Sequence, residues 1–228
     1  VERALQAAAD PERAKSSAWF FKTGKGEYGE GDRFLGIRVP VQRKIALANR
    51  DLALQDIATL LESRFHEYRF TALEILVAQY EAAPKQEIFD FYLSHTSGIN
   101  NWDLVDTSAP YIVGAHLLAR KRTILDKLAT SPVLWERRIA IVATLRLIKH
   151  GEIEDTFRIA RKLLADPHDL THKAVGWALR EAGRQSRAAL IEFLGAHYPS
   201  LPRTTLRYAI EHFAPEERKQ FLSGTFET

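Results

Sequence analysis

The run Asn100-Asn101-Trp102-Asp103-Leu104-Val105-Asp106 sets two carboxylates three residues apart, directly after an indole. On a helix, positions i and i+3 share a face. With Asn100 as N-cap, Asp103 falls at N3, where a carboxylate answers the helix dipole and the unpaired amides of the first turn. Asp106 lies almost a turn deeper, beyond capping reach. It serves either as a structural hydrogen-bonding group or as a functional carboxylate. A carboxylate flanked by indoles and an Arg suits stabilisation of a cation beside a phosphate, and Trp102 and Trp177 are the indoles in question, whereas Trp19 and Trp135 read as core. His168 and His172, at i and i+4, match the spacing of two zinc ligands on a helix, but no third ligand is apparent. With no Cys in the chain, disulfides, thiolate metal ligands and cysteine nucleophiles are excluded. No metal and no cofactor is expected.

Helices must position these groups. Apolar residues recur at i, i+3, i+4 and i+7 from about residue 51 onward. This predicts helices over 51–62, 67–81, 85–95, 101–118, 121–129, 133–150, 153–165, 169–182, 187–198 and 203–213. Pro84, Pro132, Pro167 and Pro202 mark their starts, as residues tolerated in a first turn but unable to continue a preceding helix. The segments that begin at Arg69, Asp103, Arg138, Lys173 and Arg207 lie about 35 residues apart. Each stands near the start of a second helix of a pair. One helix pair per ~35–45 residues is the period of an α-solenoid, in which pairs bury their apolar faces against their neighbours. The fold class expected is all-α: a HEAT-like α-solenoid of antiparallel helix pairs, one domain over 1–228. It has a helical N-terminal cap (1–50) with a Gly-rich loop (23–32), helix-pair repeats (51–213) and a C-terminal tail (214–228).

In such an array, equivalent positions of the second helices form a row: Arg69, Asp103, Arg138, Lys173, Arg207. Arg146 and Arg180 lie on the same helices, and Arg43 is on the cap. A row of cations suits a phosphate backbone, which rewards each neutralised charge by counterion release; a solvated charged face is the alternative. Asp106 interrupts the row, aligned with Ala72, Ile141, Gly176 and Ile210.

Charge and hydropathy leave these readings open. Lys and Arg number 32 against 29 Asp and Glu, and hydrophobic residues make up 46%, so neither disorder nor a membrane protein is indicated. No apolar run approaches the ~18–20 residues of a membrane span. The charged Val1–Asp10 stretch is unlike a signal peptide. A cytoplasmic monomer is expected.

The blocks INNWDLVDTSAPYIVG, WERRIAIVATL, HKAVGWALRE and PRTTLRYAIE, in this order between about Phe34 and Phe213, resemble the DNA alkylation repair family of AlkD-type DNA glycosylases. The resemblance implies a HEAT-like solenoid that excises cationic alkylated purines, such as 3-methyladenine and 7-methylguanine, from double-stranded DNA. It implies Asp106 as the catalytic carboxylate, Trp102 and Trp177 as the site tryptophans and Arg138 as the phosphate-facing Arg. Arg43, Arg69, Arg146, Lys173, Arg180 and Arg207 are the expected DNA-binding cations. The family's N-terminal aromatic falls on Phe20, a Phe in place of Tyr, and the Gly-rich loop is longer than the family pattern. The competing reading is a non-catalytic scaffold that binds DNA or a protein partner through the same surface.

Overall fold

The computed structural model describes residues 1–226, and among them the protein is all-α, its one departure being an isolated parallel bridge between Arg33 and Phe65. The chain forms two compact units, one from Val1 to Ile112 and the other from Val113 onward. In the first, α1 (Glu2–Ala7), α2 (Pro11–Phe20), α3 (Val39–Ala48) and α4 (Leu54–Leu61) precede α5 (His66–Ala82), α6 (Gln86–Ser94) and α7 (Trp102–Ser108). A π-helical turn, Pro110–Gly114, leads to α8 (Ala115–Leu117) and α9 (Thr123–Ala129). Then follow α10 (Leu134–Lys149), α11 (Glu154–Leu163), α12 (Asp169–Gln185), α13 (Arg187–His197), α14 (Arg203–Ala209) and α15 (Pro215–Ser223). The single helix expected over 101–118 is therefore interrupted. Pro110 brings no N–H to the ladder, and the backbone shifts to i→i+5 pairing there. The stretch expected as a C-terminal tail carries α15, which starts on Pro215 and ends on Gly224 in the left-handed region.

The long helices are cores in themselves. α5 and α10 are buried over most of their length, including the charged residues Glu67, Arg69 and Arg138. α11 is one-sided: Thr156, Ile159, Ala160 and Leu163 are buried at i, i+3, i+4 and i+7, while Arg161 and Lys162 face water. In the second unit α12 packs between α10 and α14, and α9 packs on both α10 and α11. α12 and α14 approach closely at Gly176, where a Cβ would stand 2.4 Å from the Cβ of Tyr208. In the first unit α3, α4 and α7 all pack on α5.

The turns into α5, α10 and α12 share a hydrogen-bond pattern. The side chains of Ser63, Ser131 and Asp166 accept the amides of Phe65, Val133 and His168, two residues on, at 3.1, 3.0 and 2.8 Å. Six residues beyond each, Arg69, Arg137 and His172 reach the carbonyls of Ser63, Ser131 and Asp166 at 2.6, 3.0 and 2.6 Å. This corrects the expected register. Arg137 and His172, not Arg138 and Lys173, are the counterparts of Arg69, because the residue at this position must lock its own turn. The counterparts of Asp106 become Ala72, Ala140 and Val175, each fully buried.

The N-terminal helices are joined to α5 by a carboxylate that sequence reasoning passed over. Glu67, 2% exposed, accepts the amides of Leu35, Gly36 and Ile37 at 2.9, 2.7 and 3.3 Å. Gly36 makes the approach possible: its φ is +79°, and a Cβ there would lie 2.2 Å from the carbonyl oxygen of Asp10. Glu67→Ala strands three buried amides, each costing ~1–3 kcal/mol. We expect it to lower urea stability by about 3 kcal/mol or more, and a loss below about 1 kcal/mol would show that the tether is dispensable.

Candidate active site

α7 is set in place by its first turn. Asn101, not Asn100, is the N-cap, and its side chain accepts the Trp102 amide at 2.8 Å. Asn100 instead donates to Asp32 at 3.4 Å. Asp103 therefore sits at N2 and does not complete a capping box. One of its oxygens accepts the Leu104 amide at 2.9 Å, and the other meets Nε2 of His66 at 2.8 Å. The expected bond to a first-turn amide is thus made, at Leu104 from position N2, and a tie to α5 is added to it.

His66 is buried, with Nδ1 3.5 Å from Asp32, and Asp32 in turn forms an ion pair with Nη2 of Arg69 at 2.8 Å. Burial works against the charged imidazole, but the charge and hydrogen bond of Asp103, joined by Asp32, outweigh it and raise His66 to about 9. For Asp32, burial pushes upward, yet the bond from His66 and the charge of Arg69 hold the carboxyl below its usual range. The His66 ring also packs against two phenyl rings that lie 5.1 Å from each other. Phe34 stacks on it at 4.8 Å and 23°, and Phe21 lies 4.8 Å away. Phe21 in turn stacks on Trp102 at 5.4 Å and 22°. The indole that opens α7 is therefore held by rings from the end of α2, and Phe20 touches its edge at 6.0 Å.

One turn along α7, at i and i+4, Trp102 and Asp106 share a face, and both are half-buried. Beneath them Tyr92 is fully buried, its hydroxyl 2.9 Å from that of Ser108. Burial and the nearby Asp106 charge both raise its pKa. Thr107 donates to Glu74 at 2.5 Å, and Glu74 also takes Nε of Arg43 at 3.1 Å.

The second unit holds the other expected residues. Trp177 is half-buried on α12. Arg138, 5% exposed, donates to the carbonyl of Leu170 in the first turn of α12 at 2.6 Å. It braces the helix that bears Trp177.

The expected row of open cations is not what the side chains form. Arg69 is buried on Asp32 and Ser63, Arg43 is paired with Glu74, Lys173 with Asp169 at 2.8 Å, and Arg180 with Glu181 and Glu211. Arg146 is half-buried, with Nε unpaired, and Arg207 is exposed. Arg43, Arg69 and Arg180 are matched by carboxylates distant in the sequence, Glu74, Asp32 and Glu211, whereas Lys173 is matched within its own helix. Trp19, expected in the core, is 75% exposed. His168 and His172 are engaged in the turn before α12, as N-cap acceptor and carbonyl partner, and among the described residues no group of three or more His, Cys, Asp or Glu could hold a metal ion. Nor is any described helix long and apolar enough to cross a membrane.

Residues 1–213 match the model of a family described as DNA alkylation repair enzyme. Among solved structures, a predicted DNA alkylation repair enzyme from Enterococcus faecalis superposes with a TM-score of 0.73 at 16% identity, covering 91% of this chain and 97% of that one. At that identity the likeness speaks for the fold. No curated protein matches the sequence.

A folded-state pKa above the unfolded value means that the His66 contribution is complete below about pH 6.5 and is lost as pH rises through about 9. We expect the stability difference between wild type and His66→Gln to shrink between pH 7 and pH 9.5 by on the order of 1 kcal/mol or more. Urea titrations across that window that leave the difference flat would show that the imidazole is not held protonated.

Proposed function

The chain belongs to the DNA alkylation repair enzyme family, and from that membership we propose that it is a DNA glycosylase. Its substrate is the N-glycosidic bond of cationic alkylated purines, such as 3-methyladenine and 7-methylguanine, in double-stranded DNA. The observation that carries the reading is Asp106. Three other second helices bury Ala72, Ala140 or Val175 at the corresponding position, whereas α7 presents a half-buried carboxylate one turn from a half-buried indole.

Alkylation puts a positive charge on the purine, which makes the base a good leaving group without a general acid. The C1′–N9 bond breaks with its electron pair passing to the base, discharging it as a neutral molecule. The sugar left behind has oxocarbenium character, and a water oxygen bonds to C1′ as the water loses a proton. A carboxylate fixed beside C1′ favours the cationic sugar and orients that water. Asp106 has this role. The indole faces of Trp102 and Trp177 pack on the sugar-phosphate backbone and favour the developing cation. Arg138 acts on α12 as a positioning residue and lends positive charge toward a phosphate. Arg146 and Arg207, which are not matched to a carboxylate among the described residues, are the cations assigned to DNA; Arg69 is withdrawn from that role by its burial.

Asp106→Asn keeps the shape and removes the charge. Single-turnover release of 7-methylguanine should fall ~10²–10³-fold, with duplex affinity unchanged or tighter. Asp103→Asn removes the partner of His66, so it should act first on thermal stability and shift the imidazole downward. Full excision by folded Asp106→Asn would reject the assignment, and a wild-type protein that binds duplex without releasing base would leave the scaffold reading in its place.

A further inference from the structure

α2 has no buried residue and ends in two bare aromatic rings, Trp19 at 75% and Phe20 at 55% exposure. A soluble protein seldom leaves so large an indole open without a use for it. The patch is continuous with the candidate site: Phe20 meets the edge of Trp102, and Phe21 stacks on it. Its charge is equally specific. Lys22 adopts a left-handed φ of 56°, unusual for a non-Gly residue, and its ammonium lies 5.2 Å from the centre of the Trp19 ring. Lys25 is exposed in the following loop. The acids of that loop are turned onto its own backbone, Glu27 onto the Gly24 amide and Glu30 onto the Gly26 amide, each at 2.8 Å. The aromatic end of α2 thus carries the Lys22 ammonium against Trp19, with Lys25 three residues further along the loop.

We infer that Trp19, with Lys22 and Lys25, is a second contact with double-stranded DNA, beside the lesion and distinct from the Trp102–Asp106 face. The indole lies on the sugar and base edge of the flanking duplex, and the two ammonium groups lie on its phosphates. This contact rests on the glycosylase reading for the position of the lesion. Aromatic surface next to cations fits nucleic acid, where the ring packs on the deoxyribose and each Lys displaces a counterion. A second copy of the chain would instead bring the same lysines against one another.

The test uses a duplex with a single 7-methylguanine and follows binding by anisotropy, single-turnover excision, thermal melting and sedimentation. Trp19→Ala should weaken duplex binding by about tenfold, while melting stays unchanged. Trp19→Phe should retain most of the affinity. Lys22→Ala should reduce the slope of log K against log [salt] by about 1. Wild-type affinity in Trp19→Ala, in a protein that does excise the base, overturns this contact and leaves the glycosylase reading standing. If the wild-type protein neither binds duplex nor excises, both fail. A lower melting temperature in Trp19→Ala, or a dimer that this substitution dissolves without altering DNA affinity, also overturns it.

Discussion

Burying an imidazole in its charged form is costly unless its charge is met, and in this protein Asp32 and Asp103 meet it from opposite ring nitrogens of His66. The three residues come from the end of the Gly-rich segment, the start of α5 and the first turn of α7, so a single cluster fastens three parts of the chain at once. Arg69 balances the second negative charge. The aromatic rings complete the arrangement, since Phe34 and Phe21 cover the imidazole and Phe21 carries the contact on to Trp102. The orientation of the α7 face that bears Trp102 and Asp106 is therefore set by electrostatics as much as by apolar packing.

The turn pattern explains why α7 is the helix so fastened. Before α5, α10 and α12, a donor six residues into the segment closes the turn on its own carbonyl: Arg69, Arg137 and His172. Asp103 occupies the matching place in α7, by its spacing from Arg69 and Arg137, and a carboxylate cannot donate. It binds a donor from the preceding second helix instead. The same helix is short and gives way to the π turn at Pro110. α7 is the irregular member of the series in cap, length and chemistry together, as expected where local consistency yields to a functional site.

What was legible in the sequence is what depends on near neighbours. The 3.6-residue periodicity of Thr156, Ile159, Ala160 and Leu163, and prolines at helix starts, are local, and α5, α10, α11 and α12 fall close to their expected positions. The ~35-residue repeat is visible for the same reason, although its register falls one residue off from Arg137 onward, and the position it marks locks a turn instead of facing a ligand. The partners of His66 and Glu67 lie about 30 or more residues away, and nothing in the spacing of His66-Glu67-Tyr68-Arg69 announces them. Charge counting misleads similarly: Arg43 pairs with Glu74 and Arg180 with Glu211, each 31 residues away, whereas Lys173 pairs with Asp169 at i, i+4 on its own helix. Trp19 was assigned inward on residue type alone, and only the exposed position of α2 corrects that.

Glu67 has a bearing on the order in which the chain becomes structured. The amides of Leu35, Gly36 and Ile37 have their acceptor about thirty residues downstream, so on a ribosome they leave the exit tunnel well before it does. Until α5 emerges, these three amides have only water to bond with, although the Leu35 and Ile37 carbonyls already have partners in Asp10 and Gln42. Synthesis from the N-terminus commonly lets early segments fold first; here a single carboxylate reverses that sequence locally and makes the cap wait for the helix it covers.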